Sequence, residues 1–200
     1  MATNTDRAKD IFRVHGGLLR SSEAQKLGVH PQTLSRMVDA GQLVKEERGL
    51  YRLAERQFLV EPDLIQVAKR IPKAVICLVT ALSYHRVTTQ IPRSVWIALP
   101  REQKPPKLDH PPIEVIYLSS QPYSSGIEHH QIEEIPVPIY SLEKTIADCF
   151  KFRRRIGEDI ALEALKDYLA RPDRNMDRLM RFAKEDRVQQ VMEPYLKALL

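Results

Sequence analysis

SEAQKLGVHPQTLSRMVDAG at 22–41, followed at once by LVKEERGLYRL at 43–53, places two short helices, a tight stop and a hairpin in the order of a winged helix-turn-helix. Ser22 with Gln25 has the spacing of a capping box, and Ala24 and Leu27 give the short helix an inner side. Gly28 ends it. His30 is placed to cap the next helix, and Pro31 suits its first turn because the N–H it lacks would be unpaired there. Gly41 supplies the stop, so the second helix is expected over about 31–40. On that helix Leu34, Met37 and Val38 fall on one face, Gln32, Arg36 and Asp39 on the other, and Thr33 and Ser35 on the flanks.

Gln32, Thr33, Ser35 and Arg36 are therefore candidate DNA contacts. Arginine pairs with guanine and glutamine with adenine in the major groove, and hydroxyls reach phosphate. The wing is expected as Leu43 to Glu47 and Leu50 to Leu53 around an Arg48-Gly49 turn, with Lys45, Arg48 and Arg52 as candidate phosphate or minor-groove contacts. Upstream, Ala8, Ile11 and Phe12 stripe a first helix over 5–14, and Leu18 and Leu19 lead into the turn helix. The same pattern also serves in protein–protein modules, where Arg36 and Asp39 would be a solvated face.

Two hundred residues leave room for this unit and one more domain with its own core. We expect a winged helix at 1–56 and an α+β domain at 57–200. The net charge of +5 suits a nucleic-acid partner without demanding one. Residues 1–60 hold ten Lys/Arg against seven Asp/Glu, 61–140 eight against eight, and 141–200 thirteen against eleven, so the surplus lies toward the ends. Cys77 and Cys149 sit in apolar contexts without metal or disulfide spacing, and are expected as buried thiols. The polar MATNTDRAKD start has no secretory core, and no window has the run of about 18 apolar residues of a membrane span; a cytoplasmic protein is expected.

Beyond the wing, 54–62 is expected as a connector and Asp63–Arg70 as a helix. AVICLVTALSYHRV is expected to be a short strand or turn and then a helix capped by Thr80. Short runs at 95–99, 113–118, 126–132 and 137–140 form a small antiparallel or mixed sheet, interrupted by a Pro-rich loop, LPREQKPPKLDHPP, at 99–112. Ser141 caps a helix with Leu142, Ile146, Cys149 and Phe150 inward. Helices follow over 158–170, about 175–184 and 187–199, the last expected to kink or restart at Pro194. The fold class is α+β.

The winged helix at 5–53, LVTALSYHRV at 78–87 and VPIYSLEKTIADCFKFRRRIGEDIALEAL at 137–165 resemble the antitoxins of AbiE-type toxin–antitoxin systems. The resemblance runs over nearly the whole chain, and the YSLEKTIADCF passage is its sharpest part; the Pro-rich loop is not expected of every member. It implies a two-domain repressor and antitoxin. The winged helix would bind inverted repeats in double-stranded DNA of its own promoter, and the C-terminal domain would counteract a nucleotidyltransferase-like toxin, directly or functionally, with the two activities separable by domain. The alternative is a winged-helix regulator whose second domain binds a ligand or a protein, with no toxin involved.

No catalytic set, cofactor or metal site is expected. A nucleotidyltransferase core needs a Gly-Ser turn leading to paired carboxylates, which is missing. Glu114 lacks the lysine a nuclease strand would place after it, and adjacent His129 and His130 would point to opposite sides of a strand. Tyr84, His85 and Arg86 are candidate partner-binding residues or simply close the second core. Lys144 and Asp148 have i, i+4 spacing and can be a surface ion pair worth about 0.3–0.5 kcal/mol, or a partner contact. Lys151, Arg153, Arg154 and Arg155 form the densest basic run, with three readings: helix-end complement, added DNA contact, or a surface for an acidic partner.

Overall fold

The computed structural model describes residues 3–56, 60–104 and 107–199. Residues 57–59 of the expected connector and Pro105 and Pro106 of the Pro-rich loop lie outside them. The chain is α+β and divides into two compact units. The first is Met1–Pro72 with Gln131–Pro136, and the second Lys73–His130 with Val137–Leu200.

The first unit is a winged helix. It contains α1 (Asn4–Val14), β1 (Leu18–Arg20), α2 (Ser21–Lys26), α3 (Pro31–Asp39), β2 (Leu43–Glu47), β3 (Leu50–Leu53) and α4 (Pro62–Arg70). Thr3 and Asp6 form a capping box at the start of α1: the Asp6 N–H donates to Thr3 Oγ1 at 3.2 Å and the Thr3 N–H to Asp6 Oδ2 at 3.0 Å. On α2 the cap lies two residues earlier than the Ser22–Gln25 spacing predicts. The helix begins at Ser21, and the Arg20 N–H donates to Glu23 Oε2 at 2.9 Å, since an ionised carboxylate is the stronger acceptor. His30 caps α3 as expected, with Nδ1 accepting the Gln32 N–H at 3.2 Å. Gly28 and Gly41 stop α2 and α3 with φ of +91° and +66°, a region side chains resist.

Phe12, Leu19, Ala24, Leu34, Met37, Leu43 and Leu53 form the core of this unit. β1 joins the wing as a third strand, antiparallel to β3, giving the order β1-β3-β2. α4 buries Leu64, Ile65 and Val67 and packs on β1.

The second unit carries β4 (Val75–Ile76), α5 (Leu78–Tyr84), β5 (Val95–Pro100), β6 (Ile113–Leu118), α6 (Ser120–Ser124), β7 (Ile127–Ile132), β8 (Ile135–Tyr140), α7 (Leu142–Lys151), α8 (Arg153–Ile156), α9 (Glu158–Leu169), α10 (Met176–Glu185) and α11 (Gln189–Leu199), except that the end of β7 and the start of β8, within 131–136, belong to the first unit. Its sheet has the order β6-β5-β4-β8-β7 and is mixed. β4 is antiparallel to β5 and parallel to β8, and β5 is parallel to β6 in the register Val95↔Ile113 to Pro100↔Leu118. Thr80 does not cap α5. Cys77 holds that position, and the Thr80 hydroxyl accepts the Trp96 N–H at 2.9 Å and donates to the Ser94 carbonyl at 3.3 Å, tying α5 to β5. Ser141 and Asn175 cap α7 and α10 through the N–H groups of Lys144 and Arg178. Of the kink or restart expected at Pro194, the restart does not occur: α11 is one helix through it, with Met192 and Leu196 buried on either side. Leu82, Ala98, Ile116, Tyr140, Ile146, Phe150, Leu165, Phe182 and Met192 are among the residues of one continuous core. Among the described residues no helix is long and apolar enough to cross a membrane.

Candidate nucleic-acid interface

The outer face of α3 presents Gln32, Ser35, Arg36 and Asp39 to solvent. Among the described residues, no hydrogen bond or ion pair engages the side chain of Gln32, Ser35 or Arg36. A helix face of this kind has its donors and acceptors in water, ready to exchange them for base edges. Thr33 is the exception among the four sequence candidates. It is 9 % exposed, because at position 33 the helical rotation carries it beside Leu34 and Met37, so it faces the core instead of a phosphate.

The wing is β2 and β3 with the expected bounds, paired antiparallel, with a bulge between Lys45 and Glu47 that leaves Glu46 as an extra residue. Lys45 and Arg48 are exposed. Arg52 is committed within the fold and is corrected from a free phosphate contact. Its Nε donates to Glu46, and its Nη1 donates to the Leu53 carbonyl at 3.1 Å and to the Arg56 carbonyl, leaving the side chain 18 % exposed. An arginine bonded to two carbonyls and a carboxylate braces the base of the wing instead.

Three contacts near the wing turn, two from side chains and one from the backbone, carried no signal in the sequence. The Arg70 Nη1 at the end of α4 donates to the Arg48 carbonyl at 2.7 Å. The Ser21 N–H donates to the Gly49 carbonyl at 2.9 Å, and the Arg20 guanidinium donates to the Arg70 carbonyl. These pairs are 22, 28 and 50 residues apart, so periodicity could not join them.

In the second unit the polar candidates separate. His85 is packed edge-to-face with Tyr84 and with His130, at 5.6 and 5.9 Å between centroids, and its Nε2 lies 2.8 Å from the Tyr140 carbonyl. Burial holds its pKa below the usual imidazole value, partly opposed by that carbonyl. Arg86 is exposed, with a left-handed φ of +59°. Among the described residues no group of three or more His, Cys, Asp or Glu is placed to hold a metal ion.

The Lys144–Asp148 pair is not on the surface. Both side chains are fully buried: Lys144 Nζ is 2.6 Å from Asp148 Oδ1 and 2.9 Å from Asp186 Oδ2, while Lys151 Nζ reaches Asp186 Oδ1 at 3.0 Å. The i, i+4 spacing reads correctly as a pair, but Asp186, just past α10, encloses it from 42 residues away. Burial pushes the Asp148 carboxyl up, with Lys144 pulling it partly back. For Lys144 burial acts downward and the two carboxylates overcome it, keeping the ammonium charged. Burial also pushes the thiols of Cys77 and Cys149 well up, in keeping with inert free cysteines.

The basic run after α7 disperses into the fold. Lys151 is bound to Asp186, Arg153 Nη1 donates to the Phe150 carbonyl at 2.7 Å, and Arg155 pairs with Glu114 at 2.6 Å while lying 4.8 Å over the Trp96 ring. The Arg153 bond satisfies a carbonyl in the last turn of α7, as a helix-end complement does. Arg154 is exposed.

A winged helix with an unengaged polar recognition face and an exposed basic wing, joined to an α+β unit, defines a class of DNA-reading regulator. Residues 6–54 match the family model described as "Transcriptional regulator, AbiEi antitoxin". Over that stretch the chain is similar to the winged helix of that family, the same group that the sequence resembles. The chain is also similar in fold to the RV2827C protein from Mycobacterium tuberculosis in its crystal structure. That likeness has a TM-score of 0.52 at 12 % identity, covering 98 % of this chain and 82 % of that one. No curated protein matches the chain.

Proposed function

We propose that the chain is a repressor of its own operon and the antitoxin of a pair. The winged helix reads repeats in its own promoter, and the second unit counteracts a nucleotidyltransferase-like toxin. The observation that carries the DNA half is the exposed, unengaged set Gln32, Ser35 and Arg36 on α3, with Lys45 and Arg48 on the wing beside it. Arg36 is suited to a guanine O6/N7 edge and Gln32 to an adenine N6/N7 edge. Ser35, Lys45 and Arg48 are suited to phosphates, which fix register without reading sequence. The family match over 6–54 supports the regulator half and brings toxin neutralisation into view.

Two measurements test this. Fluorescence anisotropy with the fragment upstream of the chain's own gene is expected to give salt-dependent binding that survives excess unrelated DNA; loss to that competitor would refute the repressor role. Co-expression with the product of an adjacent nucleotidyltransferase gene is expected to restore growth. Continued growth arrest with soluble protein present would refute the antitoxin role.

A regulator that senses a small ligand is the second reading. It draws on a groove of about 590 Å³ lined by Gln121, Ser125, Arg181, Phe182, Lys184 and Glu185. That volume lies within the range of ligand sites. Its polar lining is already partly self-paired, since Gln121 and Ser125 both donate to Glu185 at 3.0 and 2.6 Å.

A further inference from the structure

The family match ends at residue 54, yet the wing is held from residue 70. We propose that α4 belongs to the DNA-reading unit and that Arg70 is a positioning residue for DNA recognition, acting through the main chain of the wing turn. The proposal deepens the DNA-binding reading above and rests on it.

A two-residue wing turn projecting from an antiparallel pair has few contacts of its own, and an unanchored wing samples many orientations before it can meet a backbone. Here both carbonyls of the Arg48–Gly49 turn are held from outside the hairpin. Arg48 O accepts a charge-assisted bond from Arg70 Nη1 at 2.7 Å, and Gly49 O accepts the N–H of Ser21, the first residue of α2, at 2.9 Å. The second anchor therefore ties the wing to the helix-turn-helix itself.

Arg70 is in turn fixed. Leu64, Ile65 and Val67 anchor α4 in the core, and the Arg20 guanidinium donates to the Arg70 carbonyl, where a helix C-terminus favours a cation. Arg20 also opens α2 by donating its N–H to Glu23. One chain of bonds thus runs from the start of the turn helix through the end of α4 to the wing turn. Its effect is to fix where the exposed Lys45 and Arg48 side chains sit relative to α3. A wing held in place before binding forgoes the ordering cost at the moment of binding, so Arg70 contributes to affinity without touching DNA.

The test uses the full-length chain and the substitutions Arg70→Met, which keeps the apolar stem, and Arg70→Lys, which keeps one donor. Hydrogen–deuterium exchange without DNA is expected to speed up about tenfold at wing amides 45–52 in Arg70→Met, with Arg70→Lys lying between it and the parent. Promoter affinity is expected to fall about tenfold in Arg70→Met. In a Lys45→Ala/Arg48→Ala background the same change is expected to cost less than about twofold, because its route to DNA is gone. Parental wing exchange in Arg70→Met would overturn the proposal. So would an undiminished loss in the double-substituted background, which would make Arg70 a direct DNA contact. If the parent chain failed to bind its promoter, the DNA reading would fall, while the exchange comparison would still decide whether Arg70 holds the wing.

Discussion

Lys144→Met probes the buried charge cluster with the least change of shape. Methionine retains most of the apolar stem and removes the ammonium that lies 2.6 Å from Asp148 and 2.9 Å from Asp186. Two carboxylates are then left inside the core with Lys151 on one side only. Breaking a buried pair from one side costs about 3–5 kcal/mol, against about 0.3–0.5 kcal/mol for an exposed i, i+4 pair. Domain stabilities are about 5–15 kcal/mol, so the loss is a large share of the total. The chain has one tryptophan, Trp96, and it lies in the second unit, so urea unfolding followed by its fluorescence reports this unit. The sign with pH is fixed as well. Burial already raises the Asp148 carboxyl and Lys144 opposes it, so without the ammonium the folded state holds the Asp148 proton more tightly still, and the deficit narrows as pH falls from about 7.5 to about 5. A loss below about 1 kcal/mol, or a deficit unchanged across that range, would refute the buried-cluster reasoning.

Other outcomes follow from the same geometry. Burial pushes the Asp148 carboxyl up to about 7 from 3.8, so its contribution to stability is present at low pH and is lost as pH rises through that window. Asp148→Asn is expected to flatten the fall in stability between about pH 4 and 7, measured by urea unfolding at several pH values. Arg36→Ala is expected to weaken promoter binding about 5- to 150-fold while changing unrelated DNA far less, whereas Thr33→Ala leaves the ratio unchanged; competition anisotropy separates them. Arg52→Ala is expected to lower thermal stability with the slope of log K against log salt preserved. Lys45→Ala is expected to reduce that slope by about 0.9 with little change in stability.

The winged helix was legible because its information is local. Caps, glycine stops and a 3.6-residue stripe lie within 32 residues, and α3, β2 and β3 fall where the pattern places them. Thr33 was misread because a flank position on a nine-residue helix is decided by what packs against it. In the second unit the strands were legible as apolar runs. Their order was not, since β4 is two residues long and sits at the centre of the sheet. The β7–β8 hairpin turns on Glu133 and Glu134, with φ of +46° and +70°, where the usual sequence signal is Asn-Gly. Asp186 and Arg70 were out of reach because each matters only through a partner brought near by tertiary packing.

The first unit is assembled from two stretches of chain, and that constrains when it is finished. Ile135 lies so close to Gly16 that a Cβ there would approach its side chain to 2.9 Å, and Glu133 accepts the Val60 N–H at 2.8 Å. A ribosome releases residues 1–72 well before it has made residue 136. The recognition helix and wing therefore emerge first and wait, their last supporting side chains still unsynthesised. A fragment cut after residue 72 stays permanently at that unfinished stage, so the DNA-reading half is less a detachable cassette than the linear order of the sequence suggests.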